Sequence, residues 1–411
     1  AVSGNRNSYT SAVDKNSYNV AYNAFNDAYT DLSKNPDNPN NPNMTGKSPA
    51  YADAYIVAKS YLQGQYQQGV SQFASGFSSG TGYTAVGSTA QAIQMLKKGY
   101  TDALQGYKDA LSGEQAATTI TTTGAQSGFQ EGQQLLGAVN DVANNGKLTN
   151  ISGDPIYSLA FTAARKAKDA VDANPDVSNV VPASNPNASN SVYASAYTNA
   201  VNAMQTNYQN GVQQYLSSQA APANATTEYT MGYNDAKQSF EDAIVRGQSS
   251  STKKTNEAIN AFNEGQKALQ GYNDAVSTGQ MNYPTGTDQN QIDANNGASQ
   301  ALTDISNGLS NNDSAYTSYS NAFKLAYAKV KQAAQTAYDK GASGYVNGDS
   351  NTTATDPISK VQSAGFAAAK QGHDLQQAGQ TLTEAQKNNS ALNTGFNDSK
   401  SGNDGLAAAG G

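Results

Sequence analysis

The chain has no cysteine, no tryptophan and a single histidine, and charged residues fill only 14% of its 411 positions. Without cysteine there is no disulfide framework, no thiolate nucleophile and no zinc–thiolate site. The lone histidine, His373 in AKQGHDLQQAG, has no set of partners from which a nucleophile, base and orienter could converge, and it reads as a helix-surface residue. HExxH, a Gly-rich phosphate loop and a nucleophile elbow are all missing. Neither DANNGASQAL at Asp293 nor SGNDGLAAAGG from Ser401 offers the spaced carboxylates and final glutamate of a calcium loop. No isolated acid pair suggests glycosidase chemistry. The expectation is a non-enzyme with no metal and no cofactor.

A net charge of −7 leaves no basic stripe to neutralise phosphates, which argues against nucleic acid as a partner. No run approaches the roughly 20 apolar residues of a membrane helix, so no span is expected here. The first residues do not form a charged segment followed by an apolar one. If the parent protein is secreted, its signal and anchor are expected to lie outside this fragment.

What the chain does have is polar uncharged residues, 25 tyrosines and an internal repeat. Apolar residues reach 37%, enough for a modest core per unit, and the low charge argues against polyelectrolyte disorder. Residues 51–73, YADAYIVAKSYLQGQYQQGVSQF, match residues 193–215, YASAYTNAVNAMQTNYQNGVQQY, at 11 of 23 positions, 142 residues apart. Such a repeat predicts an array of supersecondary units.

Within the repeat, Tyr51, Tyr55, Ala58, Leu62, Tyr66, Gly69 and Phe73 recur every three or four residues. The mean of about 3.67 per turn is that of a straight helix, here named A. GYTDALQGYKDALSG from Gly99 and GYNDAKQSFEDAIVRG from Gly232, offset by 133, predict helix B. FQEGQQLLGAVNDVANNG from Phe129 and FNEGQKALQGYNDAVSTG from Phe262, at the same offset, predict helix C. Its apolar face is read as Phe129, Leu136, Val139 and Ala143, with Phe262, Leu269, Tyr272 and Val276 as counterparts, closed by Gly146 and Gly279. DPIYSLAFTAARKAKDAVDANPD from Asp154 predicts helix D, and its end resembles VAYNAFNDAYTDLSKNPD, finishing at Asp37. Pro36 and Pro175 stop these helices, since the residue before proline avoids the helical region.

The resulting expectation is all-α: tandem repeats of about four helices, forming an elongated bundle or solenoid. Residues 1–47 are a trailing helix and an Asn/Pro linker, 48–190 repeat 1 with its linker, 191–313 repeat 2, and 314–411 a partial, diverged third copy. The stretch FSSGTGYTAVGS, residues 77–88, reads as a loop or frayed helix start. The tracts NPNNPNMTGKSP and VSNVVPASNPNASNS read as linkers that bury no apolar surface. ATTITTTGA, residues 117–125, reads as a short strand or extended loop.

Tyrosines at the helical period, such as Tyr51, Tyr55 and Tyr66, belong first to the core. Those off the stripe, Tyr61, Tyr319 and Tyr345, are the candidate binding residues, able to stack on sugar rings or partner surfaces. Sequons such as Asn150-Ile-Ser152 and Asn224-Ala-Thr226 arise by chance in so Asn-, Ser- and Thr-rich a chain.

The Asn/Ala/Tyr-rich helices, the NPD stops and the repeat of about 140 residues resemble the long helical repeat regions of large surface proteins of lactic acid bacteria, the lactobacilli among them. These include extracellular adhesins and aggregation-promoting proteins. The resemblance covers the whole chain in composition and repeat style. It implies a non-catalytic, cell-wall-associated stalk or adhesin, with host glycans or mucin, wall polysaccharide or the chain itself as partner. The alternative is a carbohydrate-binding or accessory module of a secreted enzyme, and an intracellular helical scaffold stands third.

Overall fold

The computed structural model describes residues 12–38, 40, 42, 44–79, 83–87, 89–113, 121–150, 152–310, 312–351 and 353–409. Among them there are thirteen α-helices and no strand. These are α1 (Ala12–Lys34), α2 (Pro49–Ser79), α3 (Ala90–Ser112), α4 (Thr123–Ala143), α5 (Pro155–Ala173), α6 (Ser191–Leu216) and α7 (Thr227–Ile244). Then come α8 (Asn256–Thr278), α9 (Gln289–Ser306), α10 (Asn321–Val346), α11 (Pro357–Gln377), the one-turn α12 (Glu384–Lys387) and α13 (Ser390–Ala409). The protein is all-α, as its periodicity predicts. No helix among the described residues is long and apolar enough to cross a membrane.

The abundance of Ser, Thr, Asn and Asp finds its first use at helix starts. Thr89, Thr122, Asp154, Thr226, Thr255, Asp288, Ser320 and Asp356 each accept an amide of the first turn that has no partner within the helix. Pro155 and Pro357 follow two of these caps, where a missing N–H costs nothing. Helix ends are equally local. Gly146 sits at φ +64° after α4, letting the Lys147 amide donate to the Asp141 carbonyl at 2.8 Å. The two NPD stops are the same turn: the Asp37 amide donates to Asn35 Oδ1 (3.2 Å) and the Asp176 amide to Asn174 Oδ1 (3.1 Å). Each turn is then held by an equivalent helix A glutamine, Gln63 Nε2 donating to the Pro36 carbonyl (3.3 Å) and Gln205 Nε2 to that of Pro175 (2.7 Å).

The chain divides into two compact units, residues 1–205 and 206–411, with the division inside α6. In the first, α1 to α5 pack each against the next, and in the second so do α7 to α11, with α13 on α10 and α11. What brings these helices together is glycine. A Cβ built at Gly69 would lie 1.9 Å from the Leu96 carbonyl oxygen, and one at Gly99 would lie 2.0 Å from that of Tyr66. Each helix thus seats a glycine on the carbonyl three residues before the other's glycine. The same reciprocal lock joins Gly106 to Gly128, Gly211 to Gly232, Gly341 to Gly365 and Gly372 to Gly395. Backbone lies directly on backbone, at a separation where α-carbon hydrogens touch carbonyl oxygens.

This geometry corrects the helix C face. On α4 Gly128, Gly132, Leu135, Ala138 and Val142 are buried together with the expected Val139 and Ala143, while Phe129 and Leu136 are only half-buried. On α8 Ala258, Ala261, Gly265, Ala268, Gly271 and Ala275 face inward beside Phe262, and Leu269, Tyr272 and Val276 flank them. The small residues define the seam and the large ones fill its edges, the reverse of a leucine-centred stripe. Two other expectations also change. Thr123, Gly124 and Ala125, the end of ATTITTTGA, open α4, whereas residues 117–120 lie outside the described residues. The tract 177–190 does bury apolar surface, because Val181 is buried in the first unit's core, Asn185 Nδ2 donates to the Tyr193 hydroxyl at 2.9 Å, and Asn190 caps α6. Of residues 77–88, the first three continue α2, residues 83–87 are irregular, and 80–82 and 88 lie outside the described residues.

Two outcomes follow for stability. On α4, Gly128→Ala should cost about 1–3 kcal/mol, since its Cβ would meet the Ala103 carbonyl oxygen at 1.7 Å, whereas Gly137→Ala, with nothing within 4 Å, should gain about 0.5–1 kcal/mol. Denaturant unfolding of the two variants would separate them, and equal effects would mean that the close approach is not real. Tyr55→Ala and Tyr197→Ala, at 1% and 2% exposure, should each lose on the order of 3 kcal/mol, read by thermal unfolding.

Candidate functional site

The groups able to do chemistry are mostly held by one another. Tyr55 Oη donates to Asp31 Oδ2 (2.8 Å), Tyr66 to Asp102 (2.9 Å), Tyr157 to Asp141 (2.5 Å), Tyr208 to Asp235 (3.0 Å) and Tyr283 to Asp274 (2.7 Å), and Tyr51 pairs likewise with Asp27. The pairs recur with the repeat. Tyr66 reaches Asp102 beside the α4 cap Thr122, and Tyr208 reaches Asp235 beside the α8 cap Thr255. In the third copy the aspartate position holds Ala368, and Tyr338 donates instead to Asn389 Oδ1 (3.0 Å), whose side chain caps α13.

The carboxylate with the fullest set of donors is Asp304, 3% exposed, which accepts from Tyr316 (2.8 Å), Tyr327 (2.9 Å), Asn312 (3.1 Å) and Gln300 (2.8 Å). Burial alone would raise its pKa. The four donors overcome that and hold it below the ordinary value, with Tyr316 contributing most among them. Asp141 is lowered to about 2 by the Tyr157 hydroxyl first and Lys147 next. An acid held this firmly as an anion by neutral donors is an acceptor in a framework, not a proton shuttle. No group of three or more His, Asp or Glu residues able to hold a metal is found among the described residues.

A second recurring cluster is aromatic. Phe73 meets Tyr100 and Tyr107 edge to face, at centroid distances of 5.7 and 5.9 Å. Tyr215 meets Tyr233 and Phe240 at 5.4 and 5.9 Å, and Tyr345 meets Phe366 and His373 at 5.3 and 5.8 Å. These three triplets fix the register of the third copy, which the sequence left open: α10 corresponds to helix A, α11 to B and α13 to C. His373 stands where the first two copies place Tyr107 and Phe240.

The structure does not gather the three candidate tyrosines into one place. Tyr345 is the helix A member of the third triplet, half-buried. Tyr319 precedes the other end of α10, 47% exposed, its ring 4.4 Å from that of Phe323 and 5.5 Å from that of Tyr316. Tyr61 lies in the first unit, at the edge of an open apolar groove between α1 and α2 formed with Ala21, Phe25, Ala54, Val57 and Ala58. Val57 is 68% exposed there, with Tyr22 of α1 at 45%. Contiguous exposed apolar surface of this kind is the usual mark of an interaction face. Sequence reasoning found Tyr61 but missed the groove, which α1 and α2 make jointly. Compared with protein-family models, curated proteins and solved structures, the chain matches none.

The phenols dictate a pH response. Burial first, and the carboxylate partner second, push Tyr51, Tyr157 and Tyr283 from 10.0 up to about 12. Because the folded values are raised, their stabilisation is complete below pH 10.0 and is lost as pH climbs toward 12. Asp141 acts oppositely, its contribution present above pH 3.8 and lost as pH falls toward 2. Tyrosinate absorbance during alkaline titration should therefore lag behind that of the denatured chain and then rise together with loss of helix. Independent titration near pH 10 in the folded state would show the hydroxyls to be free.

Proposed function

We propose that this chain is a non-catalytic repeat segment of an extracellular, cell-wall-associated surface protein of the kind found in lactic acid bacteria, acting as a stalk or adhesin. The observation that carries the reading is recurrence. The glycine lock and the aromatic triplet return in three copies and the tyrosine–aspartate clamp in two, so tyrosine and acidic side chains serve to build equivalent units. An array of equivalent units sets a length and repeats any surface it presents. Adhesion or aggregation then proceeds through several weak contacts, with host glycans, mucin, wall polysaccharide or the chain itself as partner. Linked weak sites gain avidity through effective concentration, by about 10²- to 10⁴-fold.

A second reading, a carbohydrate-binding or accessory module of a secreted enzyme, draws on one feature. Tyr319 is exposed beside Phe323 and Tyr316, a small aromatic platform of the type on which sugar rings stack. Binding of the whole chain, of residues 48–190 alone and of Tyr319→Ala to mucin, wall polysaccharide and intact cells distinguishes the two. The adhesin reading expects the whole chain to bind at least about tenfold more tightly than one repeat, with Tyr319→Ala changing affinity less than about twofold. Equal binding by one repeat, or loss of binding in Tyr319→Ala, would favour the module. Turnover of any glycan or peptide would remove the non-catalytic reading.

A further inference from the structure

Within each unit, one repeat is seated on the next through the face of its helix A. In the first unit Tyr107 of α3 is 3% exposed with its hydroxyl beside Ser195 of α6, and Ala196 and Ala200 at 0% join the same core as Tyr107 and Val139. In the second unit α10 rests on α7 and α8: Lys329 Nζ donates to the Ile244 carbonyl (2.6 Å) and stands 4.7 Å from the Tyr272 ring centroid, while Ala326 is 0% exposed. Helix A thus covers the third aromatic of helix B in the first unit, and the end of helix B with the outer face of helix C in the second.

Two such faces are uncovered among the described residues. On α2, Asp53, Ala54 and Val57 occupy the positions of Ser195, Ala196 and Asn199, and of Leu325, Ala326 and Lys329. Asp53 is exposed, Ala54 is half-buried where Ala196 and Ala326 are at 0%, and Val57 is 68% exposed. On α13, Gly402, Gly405 and Leu406 occupy the positions of Leu135, Ala138 and Val139. Nothing stands within 4 Å of a Cβ built at either glycine, and Leu406 is 73% exposed where Val139 is at 5%. Beside it on α11, His373 keeps a buried Nδ1 without a hydrogen-bond partner.

We propose that the α11/α13 face of one copy docks into the α1/α2 groove of a second copy, continuing the seam that already joins repeats within the chain. Position by position, Leu406 then covers Val57, as Tyr272 meets Lys329 inside the chain, and two of the most exposed apolar side chains bury each other. The His373 imidazole comes to the Asp53 carboxylate, where Tyr107 faces Ser195. The two faces differ, so the contact is heterologous and a pair of copies still carries one open face of each kind. The inference rests on the repeat packing and is independent of where the protein is displayed or what it adheres to.

The test uses the purified 411-residue chain in sedimentation velocity and equilibrium, with no glycan present. The unaltered chain should associate reversibly beyond a dimer as its concentration rises. Val57→Glu and Leu406→Glu, both at exposed positions, should keep the helical content and melting temperature of the parent and weaken association by at least about tenfold. Mixing the two variants should restore a one-to-one complex and nothing larger, because only the groove of the Leu406→Glu chain and the α11/α13 face of the Val57→Glu chain remain intact, and the two altered faces repel each other. A parent chain that stays monomeric at about 1 mM, variants that associate like the parent, or a mixture that yields no heterodimer would each overturn the proposal.

Discussion

The fold depends on the distance between helix backbones, and glycine sets that distance. Where Gly69 and Gly99, or Gly341 and Gly365, face each other's carbonyls at van der Waals contact, there is no space between the axes for leucine. The core must then be built from alanine along the seam and from large side chains beside it. Tyrosine suits the second role, being wide enough to close the flank of a close helix pair and ending in a hydroxyl that can reach across it. Tyr66, Tyr208 and Tyr338 perform both tasks, since each supplies the carbonyl seated on the neighbouring glycine and sends its ring past that contact. One residue type three positions before one glycine links backbone approach to side-chain packing, and the chain repeats that link wherever helix A meets helix B.

A core of this kind fixes how polarity is used. Phenols that enter it bring a hydroxyl that needs an acceptor, and an unsatisfied one would cost about 1–3 kcal/mol. Aspartates on the adjoining helix supply it, as at Tyr55–Asp31 and Tyr208–Asp235. The remaining polar demand lies at helix ends and is met by Thr, Ser, Asn and Asp caps. A charge content of 14% is then sufficient, because carboxylates work as acceptors for neutral donors more than as members of ion pairs. Asp304, buried among two tyrosines, an asparagine and a glutamine, is the fullest instance.

Helix A was legible because Tyr51, Tyr55, Leu62, Tyr66 and Phe73 are large and keep the helical period, and NPD stopped its neighbours because proline acts on the residue before it. Helix C misled because Phe129 and Leu136 outweigh Gly128 and Gly132 on any hydrophobic scale, although the glycines carry the contact. A glycine admitting a neighbouring backbone and one exposed to solvent, such as Gly128 and Gly137, are the same letter. The third copy was obscure for a related reason. His373 in place of Tyr107 and Ala368 in place of Asp102 remove the two strongest marks of helix B, while Gly365 and the edge-to-face geometry at Tyr345 persist. Of the candidate binding residues, Tyr345 proves to lie on the stripe at the position of Phe73, and the groove beside Tyr61 was not legible because the period of α2 says nothing of the α1 face packed against it.

Comparing equivalent positions separates what the repeat keeps from what it varies. Gly69, Gly211 and Gly341 are invariant across the three copies, and so is the aromatic character at Phe73, Tyr215 and Tyr345. Position 57, by contrast, is valine in the first copy, Asn199 in the second and Lys329 in the third, although all three lie on the same face of helix A. Asn199 is turned to its own helix, donating to the Ser195 carbonyl at 2.8 Å, and Lys329 reaches the end of α7 and the ring of Tyr272. The frame within a repeat is thus specified by shape, which holds glycine at the contact of helix A with helix B in every copy. The seat between repeats is specified by chemistry, which is free to change from copy to copy. A family of such arrays can keep one architecture while altering which repeat, and which neighbouring molecule, each seat accepts.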